Sequence, residues 1–260
     1  MTFIESRNNE LIKQTAFLKE RREREKSKTF FFEGVHLLEE FLRFGYTAKY
    51  VFATPEACEK YAELLNLCEN VLYKVTESVY EKLTEEKSPQ GILCVSNFLP
   101  NIMQSDSSFP SGSIIMESVR DNGNIGTVIR TAAALGIKSV VLSEDCADIY
   151  APKTVRASMG AIFKQDIYIL KNLCLAAENQ IKNNNRVFAA VINENAKILG
   201  EFLIQKSDSF IVGNEGNGIS ASLQKACENS VIIKMSENTE SLNASAAATI
   251  IIWEMSKANG

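Results

Sequence analysis

The chain has 260 residues, of which 45% are hydrophobic and 23% are charged, and it carries a net charge of -4 at pH 7. This composition is typical of a soluble globular protein with one large or two ordinary domains, and the acidic balance argues against a protein that coats nucleic acid with its whole surface. The apolar runs are too short to span a membrane and the N-terminus lacks a secretory apolar segment, so we expect a cytoplasmic protein.

The cysteines and the histidine argue against disulfides and against a metal site. The chain contains six scattered cysteines, without a Cys-x-x-Cys pair, and one histidine. A chain of this length has enough core to fold without disulfides, and zinc sites need several Cys or His ligands at short spacing. We therefore expect neither disulfides nor a bound metal.

The first hundred residues alternate between helical and strand-like patterns. In chain order these are a charged helical pattern over about residues 7–26, the apolar run 29–33, a helix at 35–44, a strand at 50–53, a helix at 56–67, and strands at 71–75 and 91–96. The alternation predicts a small α/β domain.

The end of the first helical pattern is strongly basic. Residues 19–28 carry six basic side chains against three acidic ones. Two interpretations stay open: a solvated helix with pairs of opposite charge along its surface, or a local basic face that contacts RNA while the rest of the surface stays acidic.

Residues 99–113 separate the two halves of the chain. They contain two prolines and a polar, Ser-rich middle, which predicts a linker. Beyond it, short apolar runs recur at residues 114–116, 139–142, 187–192, 210–212 and 231–233, with helical patterns between them. This order predicts βαβ units and a mostly parallel sheet covered by helices on both faces, and such sheets bind ligands outside the carboxyl ends of their strands.

Three clusters rich in Gly, Asn or Ser follow predicted strands of this second half. They lie at residues 122–132, 213–218 and 241–243. Each falls on the same edge of the predicted sheet, so we expect them to converge on one ligand. The Gly-x-Gly-x-x-Gly spacing and the Gly-Lys-Ser/Thr loop are both absent, which argues against a nucleotide-dependent oxidoreductase and against a phosphate-binding loop.

The residues of these clusters each allow two interpretations. Arg130 is either an ordinary arginine on a helix surface or a guanidinium held beside a substrate phosphate. The glycines around Glu215 form either a plain strand-to-helix turn or a loop against a ligand, in which this carboxylate holds Arg130 or a ribose hydroxyl. Ser241 and Asn243, at the head of an apolar helix, suit a helix cap or a ligand contact.

Taken together, the clusters resemble the three motifs of the SpoU (TrmH-like) family of RNA ribose 2'-O-methyltransferases, which belong to the knotted SPOUT methyltransferases. The matching segments are residues 121–136, 210–219 and 232–247, with a lesser match at 152–163. Residues 6–19 and 29–34 also resemble the family's substrate-binding extension, so the resemblance covers nearly the whole chain.

The resemblance implies a fold, an activity and partners. The fold is α/β, with an L30e-like N-terminal domain over residues 1–98, a linker over 99–113 and a SPOUT domain over 114–260 whose parallel sheet contains a trefoil knot. The activity is methyl transfer from S-adenosylmethionine to a ribose 2'-hydroxyl of RNA, ribosomal RNA first because the N-terminal extension is present. A transfer-RNA substrate, or an inactive RNA-binding assembly protein with the same fold, stays open. The protein is expected to form a homodimer through the C-terminal domain.

The resemblance also assigns residues to roles. The expected catalytic residues are Arg130, Asn124, Glu215, Ser241 and Asn243. The expected cofactor contacts are Gly213, Asn214, Ile233, Met235, Leu242 and, more weakly, Asn193. RNA contacts are expected at Arg130, Arg156 and Arg22. No side chain is placed as a general base, and Arg130 is expected to grip the RNA phosphate and polarise the hydroxyl, because a guanidinium does not give up its proton.

Two positions depart from the family pattern. Asn122 and Lys234 stand where the family usually has proline. We expect both replacements to alter local loop geometry rather than activity, because proline fixes the backbone and the neighbouring motif residues are intact.

Overall fold

A computed structural model describes residues 2–193, 195–236 and 241–258. By their contacts the residues divide into two compact units. The first unit consists of Met1–Leu99 and Asp148–Phe163, and the second of Pro100–Ala147 and Lys164–Gly260.

Helices and strands alternate through both units. Before residue 100 the elements are β1 (Thr2–Ile4), α1 (Glu10–Phe17), α2 (Arg21–Ser27), β2 (Thr29–Glu33), α3 (Val35–Arg43), β3 (Tyr50–Ala53), α4 (Pro55–Lys60), α5 (Ala62–Asn66), β4 (Leu72–Val75), α6 (Glu77–Leu83) and β5 (Ile92–Asn97). After residue 100 they are β6 (Ile102–Ser105), β7 (Ser113–Met116), α7 (Asn122–Ala134), β8 (Ser139–Ser143), α8 (Pro152–Ala157), β9 (Asp166–Leu170), α9 (Leu173–Lys182), β10 (Val187–Ala190), β11 (Lys197–Ile198), β12 (Ser209–Val212), α10 (Ala221–Cys227), β13 (Glu228–Ile232) and α11 (Ala244–Lys257). None of the helices described is long and apolar enough to cross a membrane.

The first unit is built on a mixed five-stranded sheet with the strand order β1-β4-β3-β5-β2. The pairs β1–β4 and β3–β4 are parallel, whereas β5 runs antiparallel to both β2 and β3. Buried Phe31 and Phe52 on the sheet pack against Ile12 of α1 and Val79 of α6. The α/β character predicted for this part of the chain is confirmed.

The helical pattern predicted over about residues 7–26 forms two helices, α1 and α2, with a break between them. Arg24 of α2 contacts the chain at this break, and its side chain is 4% exposed. Its Nη1 donates to the carbonyl oxygens of Leu18 and Lys19, at 2.6 and 2.7 Å. These carbonyls follow the last turn of α1, where a helix leaves acceptors unsatisfied, so the guanidinium stabilises the chain reversal between α1 and α2.

The segment Asp148–Phe163 lies between β8 and β9 in sequence, but its contacts are with the first unit. Its helix α8 packs on β2. The ring of Tyr150 stacks on Phe98 at 3.9 Å between centroids, and the ring of Phe163 lies 5.3 Å from both Phe32 and Phe41. These aromatic contacts make the segment part of the first unit's core.

The second unit is built on an eight-stranded sheet in the order β11-β13-β10-β12-β7-β8-β9-β6, and its strand pairs are all parallel. Helices α9 and α10 share a buried core with one face of the sheet, and α11 packs on α7 and β12. The parallel sheet predicted from the apolar runs is confirmed.

Residues 102–105 of the predicted linker form a strand of this sheet. Strand β6 pairs in parallel with β9 at the edge, and most of its side chains are partly exposed. A short edge strand carries no continuous apolar run, which is why its sequence does not stand out.

Candidate functional site

The second unit contains a pocket of about 520 Å³ at the carboxyl ends of three neighbouring strands, β10, β12 and β13. This volume is in the range of small-molecule sites. The lining residues lie at the ends of these strands, in the segments that follow them, on α10 or around the start of α11: Ala190, Val191, Ile192, Asn193, Val212, Gly213, Asn214, Glu215, Gly216, Asn217, Gly218, Ile219, Gln224, Val231, Ile232, Ile233, Met235, Ser241, Leu242, Ala244 and Ala247.

The glycine-rich segment after β12 is a tight turn that also forms one wall of the pocket. The backbones of Asn214 and Gly218 exchange two hydrogen bonds, at 3.2 and 2.9 Å. A Cβ atom at Gly213 would overlap the backbone of Gly218 and Ile219, so this position requires glycine. The side-chain oxygen of Asn214 accepts hydrogen bonds from the backbone N–H groups of Gly216 and Asn217, at 2.9 and 3.2 Å. The turn is therefore fixed from within.

The first cluster joins this loop through the first turn of α7. The side chain of Asp121 accepts the backbone N–H of Asn124 at 2.9 Å and caps the helix. The side-chain amide of Asn124 donates to the carboxylate of Glu215. Helix α7 begins at Asn122, a position where proline is tolerated but not needed, so the family's proline is replaced without loss of the helix start.

The third cluster contributes both a cap and pocket wall. Asn243 caps α11, with its Oδ1 accepting the backbone N–H groups of Ser245 and Ala246 at 2.9 and 3.3 Å. Ser241 and Leu242 line the pocket. Residues 237–240 of the matching motif lie outside the described residues.

Arg130 is not part of this pocket. It is exposed on α7, six residues beyond Asn124, which places it about 9 Å further along the helix. It takes part in no hydrogen bond or ion pair found among the described residues. The structure thus brings Asn124 and Glu215 together but leaves Arg130 on a separate, exposed face.

The other two predicted RNA contacts belong to the first unit. Arg22 is exposed on α2, and Arg156 is exposed on α8, where it forms an ion pair with Glu86. The predicted cofactor contacts lie together in the second unit. The pocket described above is lined by all of them: Gly213, Asn214, Asn193, Ile233, Met235 and Leu242. In the sequence, Lys234 lies between Ile233 and Met235.

Sequence reasoning missed part of the lining. Gln224 of α10 reaches the pocket and donates to the backbone oxygen of Ile219 at 2.6 Å. A single glutamine on a helix belongs to no motif, so the sequence holds no signal for it. Ser118 and Asp145, which follow β7 and β8 outside the pocket lining, were also missed.

Comparison with known proteins assigns the chain to a family. Residues 112–253 match the model of the SpoU rRNA Methylase family, which covers more than half of the chain. The chain belongs to the SpoU rRNA methylase family. Residues 9–94 match the MRM3-like substrate binding domain. The family predicted from the three clusters is confirmed.

The likeness of this SpoU methylase to a curated relative extends over the full length. It is 30% identical over 258 residues to the 23S rRNA (guanosine(2553)-2'-O)-methyltransferase RlmP of Bacillus subtilis (strain 168), covering 98% of this chain and 99% of the relative. The SpoU family is enzymatic, its methyltransferases use S-adenosylmethionine, and the predicted enzyme class is confirmed.

Two solved structures share its fold over nearly the whole chain. A putative RNA methyltransferase of the TrmH family from Porphyromonas gingivalis superposes with a TM-score of 0.82 at 26% identity, covering 95% of this chain and 97% of that one. The S-adenosylmethionine-bound rRNA methyltransferase from Sinorhizobium meliloti gives a TM-score of 0.80 at 22% identity, with 98% and 97% covered. The predicted α/β fold with a parallel sheet is confirmed for this SpoU protein, and the trefoil knot stays a prediction.

Proposed function

We propose that this chain methylates a ribose 2'-hydroxyl of 23S ribosomal RNA, with S-adenosylmethionine bound in the pocket at the ends of β10, β12 and β13. The observation that carries the proposal is that all three motif clusters meet at this pocket or on the loop beside it. The full-length likeness to RlmP, which acts on 23S rRNA, supports the choice of substrate. The proposal includes a cytoplasmic location.

The chemistry of the pocket suits this cofactor. Backbone amides and carbonyls of the loop at residues 213–219 and of the segment after β13 can bond an adenine edge and ribose hydroxyls, while Ile192, Val231 and Leu242 offer apolar surface for a base. When bound, S-adenosylmethionine supplies an electrophilic methyl group on a sulfonium. Gly213, Asn214, Asn193, Ile233, Met235 and Leu242 hold it in this proposal.

The remaining motif residues act on the RNA. The attacking ribose oxygen must lie in line with the methyl group, and alignment of two reactants is worth about 7–11 kcal/mol in favourable cases. Asn124 and Glu215, already hydrogen-bonded to each other, orient the ribose together with Ser241 and Asn243. Arg130 binds the adjoining phosphate and polarises the 2'-hydroxyl, since an exposed guanidinium suits an anion but cannot act as a base.

The second unit is where we place a homodimer interface. Ile250 and Trp253 lie three residues apart on the outer face of α11 and are 38% and 55% exposed. Large apolar side chains exposed together mark interaction surfaces, and α11 packs on α7, which carries Arg130. Because Arg130 does not line the pocket of its own chain, we assign it to the pocket of the partner protomer.

The two units divide the work in this proposal. Residues 1–98, together with the segment Asp148–Phe163 that belongs to the same unit, bind RNA, with Arg22 and Arg156 among the contacts. Residues 114–260 without that segment carry the methyl transfer, on the sheet to which residues 102–105 add an edge strand. The family's trefoil knot would lie in the second part, where the segment after β13 leads into α11 beside the pocket.

Mapping of 2'-O-methylated nucleotides tests this function directly. Total RNA from cells with and without the gene is compared, and we expect one 23S rRNA position to lose its methyl group and to regain it with the wild-type gene. Loss of a transfer-RNA methyl group instead would reassign the substrate. Unchanged methylation, together with absence of S-adenosylmethionine binding by calorimetry, would favour an RNA-binding assembly protein.

A further inference from the structure

A carboxylate outside the three motifs gathers the segments that follow β7 and β8. Asp145 accepts three hydrogen bonds: from the hydroxyl of Ser143 at 2.6 Å, from the hydroxyl of Ser118 at 2.8 Å and from Nη2 of Arg120 at 2.9 Å. Arg120 and Ser118 follow the neighbouring strand β7, and they precede Asp145 by 25 and 27 residues. Asp145 therefore joins two loops at the same sheet edge as the pocket.

One of the residues it binds has a rare backbone conformation. Ser118 has φ +55°, in the left-handed region that residues other than glycine seldom adopt. Its N–H donates to the Ser143 hydroxyl at 2.8 Å while its own hydroxyl donates to Asp145. The next residue is also fixed, because the backbone oxygen of Val119 accepts the N–H of Ala147 at 2.8 Å. The conformation of Ser118 is thus sustained by the loop after β8.

The segment held in this way anchors the glycine-rich loop at both ends. The backbone oxygen of Ser118 accepts the side-chain amide of Asn214 at 2.9 Å. The carboxylate of the preceding Glu117 accepts the N–H and the hydroxyl of Ser220 at 2.8 and 2.6 Å. The side-chain oxygen of the same Asn214 accepts a backbone N–H of the turn. The turn contains Glu215, whose carboxylate accepts the side-chain amide of Asn124.

We propose that Asp145 is a positioning residue for the cofactor loop. By holding Ser118 in its left-handed conformation, it aims the Ser118 carbonyl at Asn214 and so sets the wall of the pocket. Asp145 itself lies outside the pocket lining and acts only through Ser118. The inference rests on the proposed function, because it assumes that this pocket binds S-adenosylmethionine.

The test measures S-adenosylmethionine affinity by calorimetry in Asp145→Asn and in a matched control. An amide places a donor where one carboxylate oxygen accepts, and with the amide nitrogen at the Oδ2 position both Ser118 and Arg120 lose their acceptor. We expect the Kd to rise on the order of fivefold in Asp145→Asn. Asp106→Asn is the control, because Asp106 is 86% exposed, pairs only loosely with Lys171 at 3.4 Å and lies in the same unit outside the pocket. Its Kd should equal that of the wild type.

Ser118→Gly separates positioning from general stability. Glycine adopts the left-handed conformation without help, so this variant should bind the cofactor within about threefold of the wild type, whereas Ser118→Ala should bind several-fold more weakly. In the Ser118→Gly background, Asp145→Asn should change the Kd by less than about twofold. A merely structural role for Asp145 would instead give the same factor in both backgrounds, and that result would overturn the proposal.

Failure of the proposed function gives a different pattern. If the wild-type protein does not bind S-adenosylmethionine, the proposed function falls and the positioning role falls with it. If the wild type binds and Asp145→Asn binds equally well, the positioning role alone is overturned.

Discussion

Asn124 and Glu215 are 91 residues apart in the chain, yet the side-chain amide of one donates a hydrogen bond to the carboxylate of the other. The first sits in the opening turn of α7 and the second in the glycine-rich loop after β12. Their contact joins two motif clusters beside the pocket. An amide bound to a carboxylate is also a defined pair whose energy can be measured.

A double-mutant cycle on this pair is the first prediction. We expect Asn124→Ala and Glu215→Gln each to lower kcat for methyl transfer, and the double variant to be less impaired than the sum of the two. Residues in direct contact typically show coupling of about 0.5–3 kcal/mol, and the exposure of Glu215 favours the lower end. Single-turnover methylation of 23S rRNA fragments measures the rate of methyl transfer in each variant, and the coupling energy follows from these rates. Strictly additive effects would mean that the contact plays no part in the reaction.

The backbone of the glycine-rich loop yields a second prediction, with a control in the same turn. Gly213→Ala should abolish S-adenosylmethionine binding, because the new methyl group would overlap the backbone of Gly218 and Ile219. Gly216→Ala should bind nearly as the wild type does, since the nearest atom to a Cβ there is the Asn214 side chain at 3.4 Å, an ordinary contact. Calorimetry compares the two. Equal losses in both variants would argue against a specific close approach at Gly213.

Mixed dimers test where Arg130 acts. Arg130→Ala should lose methyl transfer but keep cofactor binding, because we assign this side chain to the RNA phosphate and the cofactor to other residues. A dimer of one Arg130→Ala chain and one Gly213→Ala chain, purified with two different tags, should regain about half of the wild-type rate, since one of its two sites combines an intact pocket with an intact arginine.

The parent dimers provide the controls for this experiment. Each variant alone should be dimeric and inactive. An inactive mixed dimer would place the arginine in the pocket of its own chain, and near-normal turnover of Arg130→Ala would remove its catalytic role altogether.

The strands that the sequence predicts best are those buried on both faces. Strands β7 and β12 are completely buried, and their continuous apolar runs are visible in the sequence. Strand β1 has two exposed residues out of three, β6 has no fully buried residue and β11 has two residues, so none of them presents such a run. Edge strands form because a neighbour offers hydrogen bonds, and that information is not local in the sequence.

The residues of the site also differ in whether the sequence predicts them. Motif residues such as Asn214 were predictable because they follow a strand and recur in a family pattern. Asp145 was not, because its importance comes from hydrogen bonds to Ser118 and Arg120 on another segment. Arg24 shows the opposite error: its surroundings in the sequence indicate a solvated basic helix, but its side chain is buried and bonded to carbonyl oxygens.

The ionisation of Asp145 predicts a pH dependence of stability. Partial burial by itself would raise the pKa of this carboxyl, but hydrogen bonds from Ser143 and Ser118 and the charge of Arg120 outweigh it and hold the pKa below its ordinary value. A carboxyl whose pKa is lowered by folding stabilises the protein above its unfolded pKa, and this contribution is lost as the pH falls through the folded value. The melting temperature of the wild type should therefore exceed that of Asp145→Asn near pH 7.

The difference should shrink as the pH is lowered below about 4, the ordinary pKa of an aspartate, because the unfolded chain takes up a proton there before the folded chain does. Thermal unfolding between pH 3 and pH 7 measures it in both proteins. A difference that stays constant over this range would mean that the charge of Asp145 contributes nothing, and that only the shape of the side chain matters.

Arg24 is expected to be the costliest basic residue to remove from the stretch at 19–28. Its guanidinium is 4% exposed, donates to two carbonyl oxygens and pairs with Asp148 at 2.5 Å, a carboxylate that is itself 17% exposed. Removing one partner of such a buried pair leaves the other uncompensated, so Arg24→Ala should destabilise the first unit by about 3–5 kcal/mol in urea unfolding.

The exposed neighbour Arg22 is the control, and Arg22→Ala should stay within about 0.5 kcal/mol of the wild type. Since we place Arg22 on the RNA-binding face, the same variant should weaken RNA binding at low salt. Equal stability losses at both positions would contradict the distinct roles that their burial implies.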